Sequence, residues 1–191
     1  MKTPVTVYAE MTPNPQAMKF VTGIYLCETP IEYSSVEKAE GNLLAKRLFE
    51  FEGIKNVFFL SNFITLTKEG NQDWYELLTP IREAIKNYFM NNDAPVLASI
   101  PGQHTVLVKE IIPSTELEGK IKSVLEEYVR PAVEQDGGAI DFKSYKDGKV
   151  TLLMRGSCSG CPSSSITLKG GIENLFKRMV PEVIEVVAEE G

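Results

Sequence analysis

Cys158-Ser159-Gly160-Cys161 places two thiols three residues apart, with Pro162 directly after them. Sulfurs at this spacing reach one metal centre together, or close on each other as a redox pair. Proline is favoured at the first helical position, so the spacing predicts Cys161 at a helix N-cap. Unpaired backbone N–H groups and the positive helix end would meet there, and both stabilise a thiolate or an anionic group. Gly156, Gly160 and the flanking serines leave room for something bulky beside the sulfurs. Two thiolates do not complete a site, because structural zinc and the common iron–sulfur clusters take four protein ligands. The chain holds only three cysteines and one histidine. Two chains giving two thiolates each would close one site on a two-fold axis. A centre held that way, near the surface, would be easier to release than one buried within a chain. At the level of residue types an iron–sulfur cluster, a structural zinc clip and a dithiol pair all remain open.

The remaining candidates read as ordinary structure. Cys27 is expected to be a small buried hydrophobe, and His104 an inter-domain linker residue. Asp136-Gly137-Gly138 reads as a turn, and Arg155 as a solvated arginine at a strand end rather than a counter-charge for a bound group. Thr12-Pro13-Asn14-Pro15 is explained as a rigid turn without invoking a partner surface. Trp74 and its stripe are assigned to a core.

The elements that must position the cysteine pair follow from periodicity. Val5, Val7 and Ala9 alternate as a strand, and Lys19 to Cys27 continues extended after the proline turn. Ala39, Leu43, Leu44, Leu48 and Phe51 predict a helix from Val36 to Phe51, stopped by Gly53. Residues 54–60 and 63–67 predict a hairpin closed at Ser61-Asn62. Trp74, Leu77, Leu78, Ile81, Ile85, Tyr88 and Phe89 form an amphipathic helix, which Pro80 is expected to kink or to start later, near Thr79. Pro95, Pro101 and Pro113 punctuate a stretch expected to be a linker, with Thr105 to Val108 as a short edge strand.

Ser114-Thr115 and Glu118 are a capping box opening a helix through Tyr128, with Pro131 expected to break or reorient it. Residues 139–145 and 149–155 predict a hairpin turned by Asp147-Gly148. A helix is expected from Pro162 to Met179, its Gly170-Gly171 pair implying close packing, and then a last strand over 183–188. The cysteine pair therefore lies between a hairpin strand and a helix.

The pattern gives an α+β protein of two small α/β domains, each a small sheet packed against helices, joined by a linker. The domains are 1–93, 94–113 for the linker, and 114–191. The 191 residues, 43% hydrophobic and 24% charged, suit two such cores. A net charge of −6 and the lack of a basic stripe argue against nucleic acid or acidic lipid as partner. No apolar run nears the roughly 20 residues a membrane span needs. Met1 to Val5 does not start a secretory signal, and the expectation is a cytoplasmic protein. There is no phosphate loop, nucleophile triad or metalloprotease helix, so no enzyme is expected.

The sequence from Tyr128 to Val187 carries Tyr-Val-Arg-Pro-Ala-Val, Asp136-Gly137-Gly138, Gly-Ser-Cys-Ser-Gly-Cys-Pro-Ser-Ser-Ser from Gly156, Thr167-Leu168-Lys169, Gly171-Ile172-Glu173-Asn174-Leu175 and Val180-Pro181-Glu182-Val183. It resembles the C-terminal domain of Nfu-type (NifU-like) iron–sulfur scaffold proteins. The first half resembles the domain that often precedes it, through Thr12 to Pro15, Met18 to Phe20, Leu48-Phe49, Gly53 to Phe59 and Phe63 to Thr67. The resemblance implies a 4Fe-4S cluster bridged between subunits, with Cys158 and Cys161 as its ligands, and a 2Fe-2S cluster as the alternative. It further implies a homodimer or higher homo-oligomer on cluster binding, loading from upstream cluster-assembly proteins, and transfer to apo iron–sulfur proteins. An N-terminal domain without ligands would help with partner contact or stability. Cys27 lies outside the motifs that carry the resemblance, as does the less acidic linker.

Overall fold

The computed structural model describes residues 5–91, 116–160 and 168–191. The expected linker strand, His104, the Ser114-Thr115 cap, Cys161 and the start of the helix after it lie outside these residues. The described parts form two small α+β domains, each a sheet with helices against it.

In the N-terminal domain, strands β1 (Val7–Met11), β2 (Ala17–Thr22), β3 (Cys27–Tyr33), β4 (Ile54–Ser61) and β5 (Phe63–Lys68) make one antiparallel sheet in the order β1-β2-β5-β4-β3. The β4–β5 hairpin closes over Ser61-Asn62 as expected, with Leu60 paired to Phe63 and Ser61 at φ 51°. Helices α1 (Leu43–Phe49) and α2 (Trp74–Asn91) cover one face. Leu44, Leu48, Ile81 and Ile85 meet Phe20, Val57, Phe59, Ile64 and Leu66 there, all with no exposed surface.

Three expectations change in this half. The helix expected from Val36 begins only at Leu43, because Gly41 takes φ +95° and Asn42 caps the helix, its Oδ1 accepting from Ala45 N–H at 2.9 Å. An apolar period cannot outweigh a left-handed residue followed by a strong cap. Helix α2 starts at Trp74, not near Thr79, with Asp73 Oδ1 accepting from Tyr75 N–H. Pro80 forfeits one bond to the carbonyl of Glu76, but both residues face solvent, where water replaces it. Strand β3 was not foreseen past Cys27: Glu28-Thr29-Pro30 shows no alternation, and proline is tolerated because β3 is a sheet edge.

The C-terminal domain has a three-stranded sheet of β6 (Gly138–Lys146), β7 (Lys149–Gly156) and β8 (Glu185–Glu190), with β6–β7 antiparallel and β7–β8 parallel. The β6–β7 turn has Asp147 at φ 51° and Gly148 at φ 80°, the pair of left-handed residues a two-residue hairpin requires. Helices α3 (Glu116–Val124), α4 (Arg130–Gln135) and α5 (Lys169–Met179) lie on this sheet. Ile121, Leu125, Val133 and Phe176 pack against Ile140, Val150 and Leu152.

Pro131 does not break the chain's helical path. Leu125–Val129 widens into one π-turn, with Arg130 N–H donating to Leu125 O, and α4 then starts with Pro131 in its first turn. The extra residue lets the helix continue past a proline that has no N–H to give. At Gly170-Gly171 a β-carbon would meet nothing within 4 Å among the described residues, so none of those residues accounts for the expected close packing.

Candidate functional site

The cysteine loop leaves the end of the β6–β7 hairpin, where Gly138 pairs with Gly156. Gly156 sits at φ +66°, a left-handed position, and a β-carbon there would lie 2.8 Å from Gly137 O and 3.0 Å from the Phe58 ring. Only glycine turns the strand at this point. Ser157 then locks the turn: its N–H donates to Gly137 O at 3.3 Å and its hydroxyl to Asp136 O at 2.6 Å. The next residue is Cys158.

Cys158 is 8% exposed and belongs to the apolar cluster of its own domain. Its sulfur rests against Gly138, where a β-carbon would come within 2.7 Å of Sγ, and 3.8 Å from Ser157 Oγ. A surface position was expected for the pair; Cys158 is tucked inward because Gly138 offers no side chain to hold it out. The donor type is that of a soft-metal or cluster ligand, a thiol on a glycine-rimmed turn whose sulfur occupies the place a side chain at Gly138 would take. Cys161, its expected partner, lies outside the described residues, as does the expected N-cap.

Cys27 behaves as foreseen. It opens β3 inside the N-terminal core, and burial pushes its thiol up to about 11, against a hydrogen bond from the Ser61 backbone that lowers it. Arg155 was expected to be solvated, but its side chain is 16% exposed and pairs with Asp141 at 3.3 Å. Asp136-Gly137-Gly138 is the turn foreseen, with Gly137 at φ +82°.

The rigid turn at Thr12 to Pro15 is present and has an unforeseen second role. Thr12 Oγ1 donates to Asn14 O, and Asn14 Oδ1 accepts from Gln16 N–H at 3.0 Å. Asn14 Nδ2 then reaches the other domain, donating to Ser157 O at 3.0 Å. Lys19, Glu32 and Thr65 also touch the segments around the cysteine loop. Asn14, Lys19 and Thr65 fall within motifs that carry the family resemblance, but nothing in their residue types pointed to contact with the other domain; Glu32 lies in a strand that was not expected.

Comparison with known proteins settles the family. Residues 121–187 match the NifU-like domain, and residues 7–92 match the N-terminal domain of scaffold protein Nfu/NifU. The chain is 37% identical over 179 residues to the mitochondrial NFU1 iron-sulfur cluster scaffold homolog of Homo sapiens, covering 93% of this chain and 69% of that protein. The chain belongs to the Nfu-type, NifU-like family of iron–sulfur cluster scaffold proteins.

Two further relatives place it in the same family. The mitochondrial NFU1 iron-sulfur cluster scaffold homolog of Drosophila ananassae is 38% identical over 183 residues, covering 94% of this chain and 63% of that protein. The NifU-like protein C1709.19c of Schizosaccharomyces pombe is 31% identical, covering 96% of this chain and 72% of that protein. The chain thus spans under two thirds of the length of the Drosophila relatives it matches. These comparisons correct one expectation: the animal relatives are named mitochondrial, which overturns the cytoplasmic location inferred from the first five residues.

Proposed function

We propose that this Nfu-type chain is a non-enzymatic scaffold and carrier that binds an iron–sulfur cluster through Cys158 and Cys161. Two copies contribute two thiolates each, and the cargo is a 4Fe-4S cluster, passed from upstream assembly proteins to apo-proteins. The unit responsible is the C-terminal region, 114–191, joined through 94–113 to the N-terminal region, 1–93. The observation that carries this reading is the glycine-rimmed turn holding Cys158 at the hairpin end, inside the segment that matches the NifU-like domain. The names of the relatives, iron-sulfur cluster scaffold homologs, support the scaffold role.

The test is anaerobic reconstitution with iron and sulfide. Wild-type protein should gain the broad visible absorption of an iron–sulfur chromophore, about four irons and four sulfides per two chains. Cys158→Ser or Cys161→Ser should abolish it, while Cys27→Ser should not. A chromophore retained by the Cys158/Cys161 double variant would end this reading. Zinc at one per two chains, with little iron or sulfide, would replace it with a structural clip.

A further inference from the structure

One row of side chains crosses the whole N-terminal sheet. The strand registers pair Glu10 with Lys19, Lys19 with Thr65, Thr65 with Phe58, and Phe58 with Glu32. Paired residues in an antiparallel sheet project from the same face, and this is the face away from α1 and α2. Four of the five meet the C-terminal domain. Lys19 Nζ donates to Gln135 O at 3.0 Å, and Thr65 Oγ1 to Gly137 O at 2.6 Å. The Phe58 ring lies against Gly156, whose N–H donates to Glu32 Oε1 at 3.1 Å. Glu10 supports the row by pairing with Lys19 at 3.2 Å. Asn14 adds its bond to Ser157 O from the neighbouring turn.

Every one of these hydrogen bonds ends on backbone, in two short segments, 135–137 and 156–157. Those segments are the two walls of the turn that carries Cys158. Among the described residues, the buried apolar cluster at the contact is Val21, Phe58, Leu60, Phe63 and Ala139. A face that grips so few apolar atoms, and otherwise reads the shape of one loop's backbone, suits reversible docking better than permanent fusion of two cores.

We propose that this sheet face is a docking surface whose occupant is the chain's own cysteine loop, and that docking clamps the loop closed with Cys158 turned inward. Release of the N-terminal domain lets Gly156–Ser157 relax and Cys158 turn outward, where a thiol of a second copy can approach. The purpose of the clamp rests on the scaffold reading above. Its existence does not, since the contact needs no iron.

The test therefore uses the full-length, metal-free chain. Asn14→Asp keeps the Oδ1 acceptor that Gln16 uses, and so keeps the turn, but sets a carboxylate oxygen against Ser157 O. Thr65→Val removes the hydroxyl given to Gly137 with little change of shape. Iodoacetamide labelling of wild type and the double variant is followed at each cysteine by tandem mass spectrometry. Labelling tracks the open population when reclosure is fast, and two lost hydrogen bonds should speed modification of Cys158 about tenfold or more.

Cys27, buried in the N-terminal core, should stay silent in both proteins. Equal Cys158 rates in the two proteins would overturn the proposal. If Cys27 reacts in step with Cys158, the domain has loosened as a whole, and Thr65→Val alone decides. Faster Cys158 labelling with silent Cys27 then supports the clamp, and any other pattern overturns it. Failure to bind a cluster with these labelling results intact would sink the scaffold reading and leave the clamp standing.

Discussion

The two sheets of this chain are covered differently. Strands β2 and β5 of the N-terminal sheet are buried at every residue, Lys19, Thr65 and Thr67 included. Strand β7 of the C-terminal sheet is buried only at alternate residues: Val150, Leu152, Met154 and Gly156. Alternation is what a sheet with helices on one face should show. Burial of Lys19 and Thr65 means a second layer over them, and that layer is the hairpin end and turn of the other domain. The difference teaches that the small sheet bearing Cys158 keeps its cysteine-bearing end in shape with help from outside its own core.

The sharpest way to break this comparison uses two neighbours on β4, both with no exposed surface. Phe59 faces the helices and meets the Tyr33 ring edge-on at 6.2 Å. Phe58 faces the other domain and packs near Phe63. Phe59→Ala should cost about 3–5 kcal/mol of stability in urea unfolding and raise amide exchange along β4 and β5. Phe58→Ala should leave β4 protected and instead speed exchange of the Gly156 N–H, which Glu32 holds. If both variants open β4 equally, the outer face belongs to the N-terminal core and the distinction fails.

Phe58 also shows where sequence reasoning reaches its limit. Its helix-facing neighbours were recoverable because apolar residues at every second position demand one buried face. The hairpin turns were recoverable because Ser61-Asn62 and Asp147-Gly148 satisfy a local backbone requirement. Cys158 and Cys161 stood out as candidates by spacing and surroundings alone, and their role as ligands stays a proposal. The contact made by Lys19 and Thr65 was not legible because a polar residue on a strand reads the same whether it faces water or another domain's backbone, and Glu32 was missed with the strand that carries it. The start of α1 and the π-turn before Pro131 were missed for a related reason. Each depends on one cap or one extra residue that an apolar period does not register.

A variant at Gly138 tests the other side of the comparison. Gly138→Ala would set a methyl group 2.7 Å from Cys158 Sγ and 2.9 Å from Arg155 O. Overpacking of this kind typically costs about 1–3 kcal/mol. The expected result is lower stability of the C-terminal sheet together with faster labelling of Cys158, because the sulfur is the partner most able to move. Loss of stability without faster labelling would show that β6 and β7 shift instead, and that the cradle does not set the position of the thiol.

Asn42 separates local from shared stability. Its side chain caps α1 on the face remote from the C-terminal domain, accepting from Ala45 N–H. Asn42→Ala should cost about 1 kcal/mol, within the usual range for a lost N-cap. Thermal unfolding should register that loss, while Gly156 exchange and Cys158 labelling stay at wild-type values. Movement of either would mean that any weakening of the N-terminal domain reaches the cysteine loop, and the clamp would then lose its specificity.

The gentlest probe is pH, through Glu32. Burial at the domain contact raises its carboxyl above the ordinary carboxylate range, against the lowering effects of Gly156 N–H, Asn56 Nδ2 and nearby Arg155, while Glu190 adds a smaller raising effect. Its Oε2 is buried with no hydrogen-bond partner among the described residues. The docked form therefore holds this proton more tightly than an undocked form with Glu32 in water. By linkage, docking is firmest below the ordinary carboxylate value and weakens as pH rises from there through the raised one. Asp136 and Glu134, also raised by burial, act in the same direction wherever release exposes them. The chemical shift of the Gly156 amide should report this weakening in wild type. Glu32→Gln, which keeps an acceptor for Gly156 and cannot ionise, should flatten the dependence by the Glu32 share. An unchanged profile in that variant would move the pH response to Asp136 and Glu134 and remove Glu32 from the control of docking.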